Sequence, residues 1–310
     1  MNSIKNLLSI FFTKVFKKNS EREIFMIGTS HILNMRKNYT NIKNLEEVDY
    51  KIYSQNGEDG ILDYLLTRLK IEKPKFIEIG VGDYYESNTR FIFERTSCEG
   101  LIIDIIDDFK HKVEKNTNVW RGNLKILQKK INSENFLSII EEHNFIQDID
   151  LFSIDVDGID YWILEKLPKK FCKIIVAEFN PYFGSELEVT VPNDPEFDRT
   201  KYHYSNLCFG ASLRSIVELL TKKGFTFLGT NLFRNNVFFV NDDFKNELSI
   251  DFPETKDLSK YTNANFRESR DINNNKSFIT PDKIINEITE CNVVDLSDGM
   301  KEIKKIAKLL

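Results

Sequence analysis

The sequence predicts an α/β fold, a doubly wound and mostly parallel seven-stranded sheet with an antiparallel end. From Phe76 onward, short apolar runs alternate with helical patterns, which is typical of a parallel sheet covered by helices on both faces. The first five runs are spaced as repeated crossover units. The last two runs are separated only by the letters TNLFRN and can pair as a hairpin.

The predicted strands cover residues 76–79, 100–103, 124–127, 151–154, 173–177, 226–229 and 236–240. Helical patterns fill most of the gaps, at residues 61–69, 89–94, 134–143, 161–167 and 210–223. In the last of these helices the apolar residues share one face, and Gly224 is placed to end it. Two further helices are predicted in the C-terminal part, at residues 281–290 and, rich in lysine, at residues 300–310.

Composition restricts the function. A chain of 310 residues with 41% hydrophobic and 29% charged residues can bury one large core. A formal net charge of -5 argues against sequence-independent nucleic-acid binding, which needs clustered basic residues. The four cysteines are scattered without a CxxC pair, so neither a zinc cluster nor a disulfide framework is indicated, and a cytoplasmic location is expected.

We divide the chain into an N-terminal segment and linker (residues 1–49), a main domain (50–240) and a C-terminal extension packed on it (241–310). Residues 1–18 contain Lys5, Lys14, Lys17 and Lys18, no acidic residue, and an apolar stretch too short to span a membrane. No small-residue cleavage site follows, so we expect a retained segment. It either contacts a membrane peripherally, or packs on its own domain or is partly disordered.

Acidic residues and glycines stand at the ends of the first two predicted strands. Glu78 lies within the first strand, Gly80, Gly82 and Asp83 follow it, and Asp104 ends the second. Such glycines let a ligand approach the backbone, and a second-strand carboxylate can accept both ribose hydroxyls, so the pattern indicates an adenosine-containing cofactor. The third glycine of a GxGxxG motif is missing, because Tyr85 occupies its place, and this disfavours a nicotinamide-dependent oxidoreductase.

These motifs resemble a known family. Residues 78–83 with Asp104 resemble the first two motifs of class I S-adenosylmethionine-dependent methyltransferases, and residues 155–158 (DVDG) are similar to the fourth-strand DVEG motif of FkbM-like methyltransferases, with Asp157 in place of the usual Glu. Further similarity to a bacterial branch of this superfamily lies at residues 53–60, 86–89 and 209–213, and more weakly at 266–271 and 277–282.

The resemblance implies a Rossmann-like fold and an S-adenosylmethionine-dependent O-methyltransferase. By family analogy the acceptor is a sugar hydroxyl, on a nucleotide-linked sugar or a surface-glycan (capsule) precursor. It further implies that Gly80 and Gly82 lie under the amino-acid portion of the cofactor and Asp104 on its ribose. The expected cofactor-binding residues are Gln55, Glu58, Glu78, Gly80, Gly82, Asp83, Asn88, Asp104 and Asp155. Residues 54–59 can alternatively be a helix start capped by Ser54.

A hydroxyl must lose its proton when it accepts a methyl group, and the residues offer two ways to achieve this. The first is a divalent metal ion, Mg²⁺ or Mn²⁺. Asp155 ends the fourth strand while Glu178 and Asn180 follow the fifth, which is similar to the metal site of catechol-type O-methyltransferases, although Phe179 separates the last two. Asp157 and Asp160 could replace Asp155. Alternatively, these polar groups only tie down the strand-end loops.

The second way is a side-chain base. His203 lies in the long loop at residues 181–206, whose length is typical of a lid or binding surface, but it can also be a plain surface histidine. Several aromatic residues of this loop could stack on a sugar or base, or merely anchor the loop: Tyr182, Phe183, Phe197, Tyr202 and Tyr204. Arg199, Arg267 and Arg270 could hold phosphate. A rival hypothesis is a non-catalytic adenosine-binding or scaffold protein.

Overall fold

A computed structural model describes residues 2–264 and 269–310, and for residues 2–18 and 281–282 it describes the backbone alone. The strands are β1 (Lys75–Ile79), β2 (Glu99–Asp104), β3 (Asn123–Gln128), β4 (Ile149–Ile154), β5 (Cys172–Glu178), β6 (Val189–Thr190), β7 (Phe225–Thr230), β8 (Asn236–Asn241), β9 (Ser269–Arg270), β10 (Lys276–Ser277), β11 (Asn292–Asp295) and β12 (Glu302–Lys305).

The α-helices are α1 (Asn2–Met35), α2 (Glu58–Arg68), α3 (Arg90–Thr96), α4 (Phe109–Asn116), α5 (Phe136–Glu142), α6 (Asp160–Lys166), α7 (Arg199–Tyr202), α8 (Leu213–Lys222), α9 (Ser259–Thr262) and α10 (Pro281–Glu287). Short 3₁₀ helices cover Arg36–Asn38, Leu45–Val48, Val119–Arg121, Pro181–Phe183, Lys245–Glu247 and Ile306–Lys308.

Seven strands form the main sheet in the order β3-β2-β1-β4-β5-β8-β7. The first five are parallel to their neighbours. β8 runs antiparallel to both β5 and β7, so the predicted hairpin forms the antiparallel end of the sheet. The predicted fold class is confirmed, and each predicted strand coincides with an observed one. The strand order reverses at β1, which lies between β2 and β4. Doubly wound folds bind their ligands at such a position.

Helices cover both faces of the sheet because its strands are apolar on both sides. In β1, Phe76 packs into one core with α2 and α4, while Ile77 packs into a second core with α5, α6 and α8. Helix α4 was missed in the sequence, where only Phe109 and Val113, one turn apart, signal its buried face.

The C-terminal extension corrects one prediction. Residues 281–287 form α10 as expected, but the predicted helix at residues 300–310 is wrong, because residues 302–305 form β12, which pairs with β11. The pairing is reinforced by Lys304 Nζ, which lies 2.8 Å from the Asp295 carboxylate. Strand pairing and the burial of Ile306 therefore outweigh the helix propensity of this lysine-rich segment.

The extension packs on the long loop after β5. β11 also pairs with β6 of that loop, and a shared apolar cluster joins Phe183 and Leu207 of the loop to Ile284 and Val293 of the extension. The division of the chain into three parts stays a prediction. Among the helices that the structure describes, none combines the length and apolar character needed to cross a lipid bilayer.

Candidate cofactor and active site

A cleft opens at the carboxyl ends of β1, β2 and β4. It contains a polar cavity of about 280 Å³ and a more apolar cavity of about 350 Å³, and both are lined by Gly80, Gly82 and Asp155. These three residues therefore stand where the two cavities meet. The cleft lies at the point where the strand order reverses.

The loop after β1 must contain glycine at its first position. Gly80 has φ +79°, and a Cβ at this position would lie 1.6 Å from the carbonyl oxygen of Asp155. Gly82 has φ +57° and no heavy atom within 4 Å of a Cβ built there. The backbone thus leaves open space at Gly82, as the sequence motif predicts for a loop that a ligand approaches closely.

Asp104 ends β2 and is held in place by two backbone groups. The N–H of Gly82 donates to its Oδ2 at 2.7 Å, and the N–H of Ile106 donates to its Oδ1 at 3.0 Å. Each carboxylate oxygen can accept more than one hydrogen bond, so both can still accept from a ligand. Asp104 lines the more apolar cavity, in the position predicted for a ribose partner.

Apolar side chains form most of the walls beyond Asp104. The wall contains Ile103, Ile105, Ile131, Ile159 and Phe197, with Lys129 and Lys130 also lining the cavity. Phe197 comes from the long loop after β5 and packs against Gly158, where a Cβ would lie 2.3 Å from the ring. The glycine of the DVDG motif therefore makes room for this ring, which forms part of the largely apolar wall of the cavity.

The polar cavity has a different lining. Glu78 is buried and accepts hydrogen bonds from the Ser87 hydroxyl, the Thr89 hydroxyl and the backbone N–H groups of Asn88 and Thr89. Burial raises the pKa of Glu78, and these donors oppose the rise. The Asn88 amide donates to the Ser153 hydroxyl at 3.0 Å. Glu78 thus fixes the loop that borders the cavity.

Most predicted cofactor residues lie around this cleft, namely Gln55, Glu78, Gly80, Gly82, Asp83, Asn88, Asp104 and Asp155. Glu58 is fully buried outside it and accepts from the side-chain amides of Asn231 (2.7 Å) and Asn236 (2.8 Å). Of these two partners, Asn236 lines the polar cavity. The roles of these residues in binding stay predictions.

Residues 52–59 form a turn organised by a buried carboxylate. Oδ2 of Asp59 accepts from the backbone N–H groups of Ile52, Tyr53 and Ser54 and from the Ser54 hydroxyl, at 2.6 to 2.8 Å. Burial raises the pKa of Asp59 to about 6. The Ser54 hydroxyl in turn accepts from the Asp59 N–H at 3.2 Å near the start of α2, but the N-cap residue of that helix is Gly57 and not Ser54 as the helix-start alternative expected.

Three carboxylates gather where β4 and β5 end. Asp155, Asp157 and Glu178 each offer an oxygen, and these oxygens lie within 4.8 Å of one another. Burial raises the pKa of Asp155, and Glu178, Asp157 and Asp160 raise it further. The Arg199 guanidinium forms an ion pair with Asp157. We call Asp155, Asp157 and Glu178 the acidic group.

Asp160 and Asn180 are engaged elsewhere. Asp160 accepts from the backbone N–H groups of Val156 and Gly158 at the start of α6, and burial raises its pKa to about 6. The Asn180 amide donates to the carbonyl oxygens of Leu207 and Phe209, and its Oδ1 accepts from the N–H of Tyr182. Asn180 therefore ties down the long loop, as the alternative to metal binding anticipated, and Asp157 stands in the acidic group instead.

His203 lies away from the residues that line the cleft. Its Nδ1 is 2.7 Å from the Ser205 hydroxyl, and its ring packs on Tyr204 with centroids 4.3 Å apart. Cys208, and to a smaller extent His203, lower the pKa of the neighbouring Cys291 thiol. The structure therefore does not bring the predicted base His203 to Asp155.

The loop aromatics divide between two functions. Phe197 lines the cleft, whereas Tyr182 and Phe183 are buried against the extension. The hydroxyls of Tyr202 and Tyr204 donate to the Asn292 carbonyl and the Glu287 carboxylate of the extension. These four rings anchor the loop, which was the alternative to ligand stacking.

Contacts are described for two of the three predicted phosphate-binding arginines. Arg199 pairs with Asp157, and the backbone N–H of Arg270 in β9 donates to the Ser205 carbonyl. Arg267 and half of the weak similarity at residues 266–271 lie outside the described residues. Asn236 was missed in the sequence. Its only signal is a polar residue opening the last apolar run, and it reaches the cleft because β8 pairs with β5.

No protein-family model and no curated protein matches the chain. Solved structures with similarity include human N-acetylserotonin methyltransferase in complex with SAM (14% identity, 57% of this chain and 50% of that chain, TM-score 0.33). PKMT2 from Rickettsia typhi in complex with AdoHcy shows 12% identity over 77% of this chain and 62% of that chain, with TM-score 0.39. The small RNA methyltransferase HEN1 shows 13% identity, with TM-score 0.36.

The chain spans between about a quarter and three fifths of the length of these three proteins. Their identities and TM-scores are low.

Proposed function

We propose that this protein is an S-adenosylmethionine-dependent methyltransferase that transfers a methyl group to a hydroxyl. The observation that supports this most is Asp104 at the end of β2, held by the N–H of Gly82 where the β1 loop meets the cleft. A carboxylate in this position suits the two hydroxyls of a ribose. The apolar slot beyond it, closed by Phe197, suits the adenine.

The residues present fit this cofactor. Asp104 would bind the ribose, Gly80 and Gly82 would lie against the amino-acid portion, and the open space at Gly82 admits it. When bound, the cofactor supplies a methyl group on a positively charged sulfur. Asp155 lines both cavities. It would therefore lie between the adenosine in the more apolar cavity and an acceptor in the polar cavity.

Proton removal from the acceptor falls to the acidic group in this proposal. Asp155 either takes the proton itself, or joins Asp157 and Glu178 in holding Mg²⁺ or Mn²⁺, which lowers the pKa of a bound hydroxyl. Three carboxylates within 4.8 Å of one another suit a hard divalent cation. The FkbM-like branch is supported by the resemblance of residues 155–158 and of residues 53–60, 86–89 and 209–213, and the sugar acceptor is proposed by analogy with that family.

Calorimetry with S-adenosylhomocysteine tests the cofactor. We expect the unaltered protein to bind it and Asp104→Ala to bind roughly a hundredfold more weakly, because hydrogen bonds to a charged group contribute about 1.5–3 kcal/mol each. Asp107→Ala is the matched control, since this exposed aspartate of the same loop lies outside both cavities and should leave the affinity unchanged. Absence of heat from the unaltered protein at high concentration, or equal binding by Asp104→Ala, would reject the proposal.

A non-catalytic binding protein is the alternative. It would bind S-adenosylhomocysteine as well, so only turnover separates the two. Tight cofactor binding without transfer to any of a panel of sugar nucleotides, with and without Mg²⁺ or Mn²⁺, would favour the binding protein.

We further propose that α1 contacts a membrane surface. Its first half is lysine-rich and without acidic residues, and farther along Met26, Ile27 and Leu33 are 62%, 69% and 57% exposed. Basic and apolar residues on one helix suit an anionic bilayer surface. Vesicles containing phosphatidylserine should sediment the intact protein and release one lacking residues 1–18, while phosphatidylcholine vesicles should retain neither. Equal sedimentation of the two proteins with anionic vesicles would contradict this.

A further inference from the structure

One amide oxygen beside the polar cavity has no hydrogen-bond partner among the residues that the structure describes. It is Oδ1 of Asn236, the first residue of β8. Asn236 is 4% exposed and lines the polar cavity. Buried polar atoms are nearly always paired, so an unpaired oxygen next to a cavity suggests a partner that arrives with a ligand.

The orientation of this amide is fixed by its neighbours. Its Nδ2 donates to Oε1 of Glu58 at 2.8 Å, and the same carboxylate oxygen accepts from the Asn231 amide at 2.7 Å. Oδ1 of Asn231 accepts from the backbone N–H of Asn236. Because a carboxylate accepts but does not donate, the nitrogen must face Glu58, and the oxygen is the atom left without a partner among the described residues.

Asn236 lies next to the acidic group in the sheet. Asn236 pairs with Glu178 across β5 and β8, and Glu178 belongs to the acidic group with Asp155. Asp104 lies at the end of β2, on the opposite side of β1 in the sheet order. The amide therefore stands near the acidic group and several strands away from the residue predicted to hold the ribose.

The charge of the polar cavity restricts what can bind there. Its described lining residues include Glu78, Asp83, Glu86 and Asp155, and no lysine or arginine. A hydroxyl or an ammonium group can donate to the oxygens around this cavity.

We propose that Asn236 positions the methyl acceptor by accepting, through Oδ1, a hydrogen bond from a hydroxyl or ammonium group of that molecule. The acceptor thus carries a hydrogen-bond donor at this point. Glu58 is a positioning residue that keeps the amide oxygen turned toward the ligand. The inference rests on the proposed function and adds to it the chemistry of the acceptor.

Sinefungin provides a probe before the acceptor is identified. In this cofactor analogue an amine-bearing carbon replaces the methyl-bearing sulfur, so it places a donor at the transfer position. We expect the unaltered protein to prefer sinefungin to S-adenosylhomocysteine in calorimetry. Asn236→Ala should lose about tenfold in sinefungin affinity, the equivalent of one hydrogen bond, and change S-adenosylhomocysteine affinity less than twofold.

Two further variants test whether the ratio of sinefungin affinity to S-adenosylhomocysteine affinity depends on the orientation of the Asn236 amide. Glu58→Gln keeps an acceptor oxygen for the Asn236 amide and should preserve the ratio, whereas Glu58→Ala should lower it. Asn235→Ala is the matched control, since Asn235 hydrogen-bonds Asn56 and Asn231 outside the cavity and should alter stability without altering the ratio.

An unchanged ratio in Asn236→Ala would overturn the inference while leaving the cofactor assignment intact. Failure of the unaltered protein to bind S-adenosylhomocysteine would instead reject the proposed function. The two failures are therefore distinguishable in one set of titrations.

Discussion

Gly80→Ala is expected to lower the free energy of unfolding by more than about 4 kcal/mol or to prevent folding. A methyl group at this position would lie 1.6 Å from the carbonyl oxygen of Asp155, far inside van der Waals contact. Neither partner can move easily, because the N–H of Gly80 donates to Ile103 and the N–H of Asp155 donates to Ile79. The collision therefore separates the ends of β1 and β4, where the cleft is built.

Gly82→Ala is the matched control for this prediction. It has the same left-handed backbone, which costs an alanine roughly 1–2 kcal/mol, but no heavy atom stands within 4 Å of the added methyl group. Urea unfolding of both variants measures the difference. Equal stability of Gly80→Ala and the unaltered protein would contradict the geometry of this turn.

The same control reports on the cofactor. The methyl group of Gly82→Ala would project into space that both cavities share, so S-adenosylhomocysteine affinity should fall although the fold persists. A stable Gly82→Ala protein with unchanged affinity would place the ligand elsewhere.

The sheet could be predicted from the sequence because a short run of apolar residues indicates a buried strand. Each run from β1 to β8 in the main sheet is bounded by polar or glycine residues, and a buried parallel strand is apolar on both faces. The cofactor motifs could be placed for the same reason, since Gly80 and Asp104 follow strands whose positions were clear.

What could not be predicted depends on strand order and on loops that fold back. Asn180 was expected beside Glu178, but β5 ends at Glu178 and a 3₁₀ helix starts at Pro181, and the Asn180 amide donates to the Leu207 carbonyl instead. Asn236 is distant from Glu178 in sequence, and only the antiparallel pairing of β8 with β5 brings the two together. His203 faces the C-terminal extension, an association that no local pattern reveals.

Asp155→Asn should lower the rate of methyl transfer by about 10²–10⁴, the usual contribution of a positioned base or its equivalent, while S-adenosylhomocysteine binding changes little. The fold should tolerate this change. Burial and the neighbouring carboxyls raise the pKa of Asp155, so a neutral amide of the same shape removes repulsion from the acidic group. Urea unfolding should therefore give a free energy equal to or above that of the unaltered protein, which separates lost chemistry from lost structure.

Asp157→Asn distinguishes the two roles open to Asp155. Asp157 is the most exposed member of the acidic group, and it pairs with Arg199. If Asp155 acts alone as the base, Asp157→Asn should retain most of the transfer rate. If the group holds Mn²⁺, both variants should need more Mn²⁺ for half-maximal rate, because each removes one charged ligand.

The measurement is transfer of a labelled methyl group from S-adenosylmethionine to the sugar-nucleotide panel over a range of Mn²⁺ concentrations. Full activity of Asp155→Asn in that assay would exclude both roles, since each requires a carboxylate where the two halves of the cleft meet.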